Sequence, residues 1–192
     1  MDYSKLTPEE RIELVKNKYE EIIQIMDLEN RIDPQHIKET PRRIAKMFIR
    51  ELFSGCYTEP PKMTTFTIDQ KDAGPVRLNN IRIRSVCSHH FVPFEGKCMI
   101  EYFPRTKIVG ISKLARVADY FARRPQVQEE LTNQIGRYIM KQLNPWYCVV
   151  LIKAKHLCIS HRGANEPNSE MLTMFAEGAD NEVVSRMQAA FL

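Results

Sequence analysis

Apolar positions in the N-terminal third recur at helical spacing. Ile12, Val15, Tyr19, Ile22 and Met26 lie three or four residues apart, the interval that stacks side chains on one face of an α-helix. Just upstream, Thr7, Pro8 and Glu10 supply a cap, a first helical residue with preset φ and the acidic partner of a capping box. Asp33-Pro34 and Thr40-Pro41 mark two further helix starts. The second leads into a face of Ile44, Met47, Phe48 and Leu52, and SGCYTEPP ends it. Short helices separated by proline-initiated turns predict a packing arm over residues 1–62 rather than a catalytic core.

From Met63 the period changes, and residues 63–192 read as the catalytic domain. TTFTI reads as a strand and KDAGP as a turn. NIRIRSV alternates Ile81 and Ile83 with Arg82 and Arg84, the period of a half-buried strand, and KCMIEYFP is another strand, ending at Pro104. Ser112 is placed to cap a helix with Leu114, Val117, Ala118 and Phe121 on its inner face, and Arg124-Pro125 breaks it. VQEELTNQIGRYIMKQL predicts a second helix, with Val127, Leu131, Ile135, Tyr138 and Ile139 inward. WYCVVLIKAKHLCIS reads as one long strand, GANEPNSE as a turn, 171–175 as a further strand, and Asn181 onward as a short helix. This order predicts an α+β fold with a largely antiparallel sheet. Two helices on one face leave the edges and the other face in need of cover, and self-association is one remedy.

Composition narrows the picture. The chain has 192 residues, 43% hydrophobic and 27% charged, ordinary values for one globular domain with an appended segment. A net charge of +4 gives little support to a nucleic-acid partner and suits an anionic small substrate equally well. No apolar run reaches the length of a membrane span, and MDYSKLTPEERIEL lacks the apolar stretch of a signal peptide. The expectation is a cytoplasmic protein whose five cysteines stay reduced. Cys98 and Cys148 lie in apolar strand-like runs and read as core, and Cys56 sits in a turn and reads as inert.

Cys87 and His90 stand three apart in VCSHHFVPFEGK, where a strand runs into a turn. A C-x-x-H pair needs a third ligand, and Cys158 in KHLCISHRG is the best candidate. Read on a strand, His156 and Cys158 face the same way. Two thiolates and an imidazole select zinc, and three protein ligands with a fourth position open match a catalytic site rather than a closed structural one. His89 and His156 then stand beside ligands without having to be ligands. Imidazole titrates near neutral pH and suits proton transfer next to a zinc-activated water; the alternative is a pair of satisfied strand histidines. His36 and His161 lack this context. Ser112, Lys113 and Arg116 at a helix start offer an anion site, or equally a solvated basic face. Glu129 reads as exposed surface, although a carboxylate can accept two hydrogen bonds from a guanine amide and amine.

Four segments in order, CSHHFVPFEGK, YFPRTKIVGISKLARV, FARRPQVQEELTNQI and AKHLCISHRG, resemble the GTP cyclohydrolase I family, and TPRRIAKMF followed by LFSG resembles its N-terminal helical region. The resemblance runs from about Thr40 to the C-terminus. It implies the tunnelling fold, in a homodecamer of two stacked pentamers with active sites at subunit junctions and scope for allosteric control. It implies hydrolysis of GTP to 7,8-dihydroneopterin triphosphate and formate, the first step toward tetrahydrofolate and other pterins: the guanine imidazole ring opens, C8 leaves as formate, and the ribose rearranges before the pterin ring closes. Through it, Cys87, His90 and Cys158 are expected to hold zinc, and His89 and His156 to be the catalytic imidazoles, with Ser112 beside them. Ser112, Lys113, Arg116 and Arg162 fall at triphosphate contacts, and Arg43 at a phosphate-binding arginine reached from a neighbouring subunit. Glu129 falls at the guanine-recognising carboxylate, with Gln128 a further substrate contact. Neither nucleic acid nor a membrane is implied.

The chain departs from the family pattern in places. Ser88 stands where a Glu is usual between the metal Cys and the first His, Glu95 replaces a small polar residue, and NSEMLTMFAEGAD keeps Thr173 where several threonines are usual. The competing readings are a related tunnelling-fold enzyme, such as the nitrile reductase of queuosine biosynthesis, and a noncatalytic ring with a structural zinc. The first needs a nucleophilic Cys in its own motif and no Cys-His-Cys set. The second leaves the two histidines without a purpose.

Overall fold

The computed structural model describes residues 2–191, apart from the side chain of Asp72. The chain divides into two compact units, Met1–Tyr57 and Thr58–Leu192.

In the first unit, Thr7 caps α1 (Pro8–Ile25) in a full capping box with Glu10. Its buried positions are Ile12 and Ile23. Ile22 and Met26, expected inward, are 42% and 58% exposed, because the inward face runs through Ile23 rather than Ile22. Asp33 caps the single turn α2 (Pro34–Ile37). The next helix, α3 (Thr40–Lys46), starts after Glu39 rather than at a Thr40 cap, and its Pro41 and Ala45 are buried. It continues into a wider turn over Met47–Leu52, closed by the five-residue bond from Phe53 N–H to Phe48 O. The buried row runs at four-residue spacing through Pro41, Ala45 and Ile49, one position off the expected face. The face expected at Ile44, Met47, Phe48 and Leu52 is only partly buried.

The second unit is α+β. Strand β1 (Thr65–Thr67) pairs with β4 (Lys107–Val109) in a small two-stranded sheet. The main sheet holds β2 (Val76–Cys87), β3 (Pro93–Phe103), β5 (Pro125–Gln126), β6 (Tyr147–His156) and β7 (Met171–Glu177), in the order β5-β2-β3-β6-β7. All its pairings are antiparallel except the short edge β5, parallel to β2, so the sheet is mixed. The proline expected only to break a helix also starts this edge. A bulge lies between Leu78 and Ile81.

Helices α4 (Ile111–Ala122) and α5 (Gln128–Leu143) cover one face. Leu114, Val117, Ala118 and Phe121 from α4 and Leu131, Ile135 and Ile139 from α5 enclose Ile83, Phe94, Cys98, Ile100, Val150 and Ile152 from the strands. Cys98 and Cys148 are fully buried here, and burial pushes both thiols up, as befits core residues. The opposite face is partly covered from within the chain. Met187, Val183 and Phe191 of α7 (Asn181–Phe191) pack on Met99, Tyr147, Val149 and Leu151.

Where α5 crosses β7, Gly136 lets the backbone approach Phe175; a Cβ there would lie 2.1 Å from the ring. Overpacking of a filled core costs about 1–3 kcal/mol, so Gly136→Ala is expected to lower the unfolding free energy by that amount, seen as a lower urea midpoint, despite the better helix propensity of alanine. An unchanged midpoint would mean that Phe175 repacks freely.

Candidate active site

The sheet topology gathers the site at one end. Strands β2 and β6 both run antiparallel to β3, so they run parallel to each other and their C-terminal ends, Cys87 and His156, emerge together. Strand β3 begins at that same end. The five-residue connection from β2 to β3 (residues 88–92) is closed by Phe91 N–H to Cys87 O and Cys87 N–H to Val92 O, with Phe91 at a φ of 52°. This conformation disfavours a bulky residue and leaves Ser88, His89 and His90 exposed on the turn.

Cys158 does not lie on a strand. Strand β6 ends at His156, and α6 (Leu157–Ser160) turns the chain by one helical turn. That turn, rather than strand alternation, brings Cys158 toward β2. The ligating atoms of Cys87, His90 and Cys158 all lie within 4.8 Å of one another. Burial and the neighbouring Cys87 thiol push the Cys158 thiol up. Two thiolates side by side repel, and a cation between them removes that penalty and deprotonates both. Soft sulfur donors with one imidazole suit a transition metal of the zinc type, so the donor set fits such an ion. Arg162 Nη1 stands 3.2 Å from His90 Nε2, and His89 Nδ1 is 3.6 Å from Cys87 Sγ.

His156 is held on two sides. Register places it opposite Phe94, and the two rings stack at 4.6 Å and 8°. Its Nε2 lies 2.8 Å from Oε1 of Gln128, the buried first residue of α5. Burial lowers the His156 pKa, and the Glu129 carboxylate works against this. Glu129 is exposed in the first turn of α5. Ser112, Lys113 and Arg116 lie in the first turns of α4, whose N-cap is Gly110 with no side-chain cap bond. The helix thus starts without the expected Ser112 cap, and Lys113 N–H bonds Gly110 O at 2.8 Å. Arg43 lies in the last turn of α3, exposed, in the N-terminal unit.

A family model described as GTP cyclohydrolase I matches residues 15–191. The chain belongs to the GTP cyclohydrolase I family. It is 41% identical over 162 residues to GTP cyclohydrolase 1 of Streptomyces coelicolor, covering 83% of this chain and 80% of that one. It is 43% identical over 159 residues to GTP cyclohydrolase 1 of Wigglesworthia glossinidia brevipalpis, covering 82% and 74%. Among solved structures, the archaeosine synthase QueF-Like in the apo form is similar over 55% of this chain and 95% of that one, with a TM-score of 0.47 and 23% identity.

Several residues that support the candidate site were not singled out by sequence. Phe94 became a ring support for His156 only through strand register. Thr132 and Thr173 join their hydroxyls at 2.6 Å beneath Gln128, and Thr132 looked like one more polar helix position. The only hint was that Thr173 remains in a segment otherwise poor in threonine.

Proposed function

We propose that this chain is a zinc-dependent GTP cyclohydrolase I, converting GTP and water to 7,8-dihydroneopterin triphosphate and formate at the start of pterin biosynthesis. The observation that carries the reading is the convergence of Cys87, His90 and Cys158 within 4.8 Å in a chain of that family. Cys87, His90 and Cys158 would hold the zinc, which when bound supplies a Lewis acid that makes water nucleophilic near neutral pH. The Glu129 carboxylate accepts hydrogen bonds from the guanine amide and amine. Ser112, Lys113 and Arg116, in the first turns of α4, take the triphosphate together with Arg162; helix N-termini favour anions. Arg43 adds a cation from a neighbouring subunit in a tunnelling-fold decamer of two stacked pentamers. His156, which burial biases toward the neutral form, and His89 accept and return protons as the C–N bonds of the imidazole ring break. Phe94 keeps water from one face of the His156 ring. The triphosphate leaves intact, and the chain has no glycine-rich P-loop motif for phosphoryl transfer.

Anaerobically purified, zinc-loaded protein is expected to release formate from GTP and to yield a product that fluoresces as a pterin after oxidation. A chelator should abolish both signals, and zinc should restore them. GTP that binds without either signal would point instead to a noncatalytic ring, with Ser88 and the 165–180 segment as the first positions to revert.

A further inference from the structure

We infer that Gln128 is a positioning residue that fixes the tautomer of His156, holding Nε2 as the N–H donor and leaving Nδ1 as the bare nitrogen of the neutral ring. The Gln128 amide has a fixed direction. Its nitrogen lies 3.0 Å from each of three acceptors, Ile152 O, Met171 O and Thr173 Oγ1. Two of these are backbone carbonyls, which cannot donate. The amide NH2 must therefore face β6 and β7, and a flipped amide would set oxygen against oxygen in a buried site.

The threonine pair agrees with this direction. Thr132 Oγ1 donates to Gln128 O at 2.8 Å, so its oxygen accepts from the Thr173 hydroxyl, 2.6 Å away. Thr173 Oγ1 keeps a lone pair for the Gln128 amide. The two amide hydrogens are then shared among three acceptors, all on the side of β6 and β7.

What remains of Gln128 is Oε1, an acceptor only, 2.8 Å from His156 Nε2. That contact is a hydrogen bond only if Nε2 carries a proton. In the neutral ring Nδ1 is then bare, because a neutral imidazole bears one N–H. Turning the ring over would put carbon against Oε1, and the Phe94 stack at 8° holds the ring plane. Tautomer and rotamer are fixed together, from behind, by groups with no free amide proton to offer a substrate. Gln128, expected among the substrate contacts, acts through His156 instead.

This inference rests on the cyclohydrolase reading only for its consequence: the guanine nitrogen that receives a proton from His156 must face Nδ1. The tautomer itself can be read without substrate. Neutron diffraction from deuterium-exchanged crystals of the zinc-loaded protein, at about pH 8.5 and so above the ordinary imidazole range, should show deuterium on His156 Nε2 and none on Nδ1. Deuterium on Nδ1 with Nε2 bare would overturn the inference. Failure to turn over GTP would sink the cyclohydrolase reading and leave the neutron result standing.

A kinetic arm tests the positioning role. Gln128→Met keeps side-chain length and apolar packing but removes the acceptor. It should lower kcat by about 10²-fold, the scale of a misplaced general acid–base group, with KM for GTP and bound zinc unchanged. Deuterium should then appear on either ring nitrogen of the variant. A rise in KM with kcat preserved would return Gln128 to the substrate contacts and refute its role on His156.

Discussion

Cys158→Ala is expected to leave a folded protein that neither retains zinc nor releases formate from GTP. The thiol stands on α6, partly exposed, and contributes only at the margin of the main core, so its loss should cost little stability. Its chemical loss is large. Cys87 and His90 alone form a two-point site on one turn, a weak holder for a tetrahedral ion. Lewis-acid stabilisation of a transition state is worth several kcal/mol, so kcat should fall by about 10³-fold or more. Metal analysis and formate release on the same preparation check both halves. A variant with full zinc content and full rate would remove Cys158 from the metal set. A variant with full zinc and no turnover would show that Cys158 shapes the site without holding the ion.

Glu101→Leu is expected to give the largest loss of stability of any single substitution on the outer face of the sheet. Its side chain is 1% exposed, and it faces away from α4 and α5, under α7. Arg77 Nε donates to it at 2.6 Å, Arg186 Nη2 at 2.7 Å and Tyr147 Oη at 2.8 Å. Burial raises its pKa, but the hydrogen bonds from Arg186, Arg77 and Tyr147 together outweigh this and hold the carboxyl below its ordinary value. The same carboxylate, with burial acting first, pushes the Tyr147 phenol up to about 12. Breaking a buried ionic cluster by removing one partner costs about 3–5 kcal/mol. The lower end applies here, because Arg186 is 45% exposed and can return to water. Since α7 is tied to β3 through Arg186, the helix should loosen first, which hydrogen exchange of 181–191 would reveal.

The sign of the pH dependence follows from the direction of the Glu101 shift. A carboxyl depressed in the folded state contributes its full stability above the unfolded value, about 4.3 for Glu. It loses that contribution as pH falls through the folded value. The native protein should therefore lose stability steeply below about pH 4, and Glu101→Leu should lose less of what it retains over the same range. Urea midpoints of both proteins from neutral to acid pH test this. Parallel curves would mean that other carboxylates carry the acid transition.

Much of the molecule follows from local pattern. The capping box at Thr7, the Asp33-Pro34 turn, the inner stripe of α4 and the alternation of Ile81 and Ile83 were legible because each depends on neighbours within one turn or one pleat. The metal-ligand types were legible because Cys and His next to each other at a strand end have few other uses. Local pattern also misled where the local rule had a competitor. The 3.6-residue period carried the arm's inner face through Ile22 and through Ile44 and Met47, whereas Ile23 and the row Pro41, Ala45 and Ile49 are the buried positions. Strand alternation ran on through Cys158, whereas α6 takes over after His156.

The sequence by itself determined the elements, the α+β class and which side chains can do chemistry, since those depend on residue type and short-range periodicity. Tertiary structure alone decided which of them meet. Two antiparallel reversals bring the ends of β2 and β6 together, and the register of β3 on β6 sets Phe94 beneath His156. The first residue of α5 inserts its amide between β6, β7 and that imidazole. Pairing partners and hydrogen-bond direction are properties of strands far apart in the chain, and no window of sequence contains both sides of such a contact.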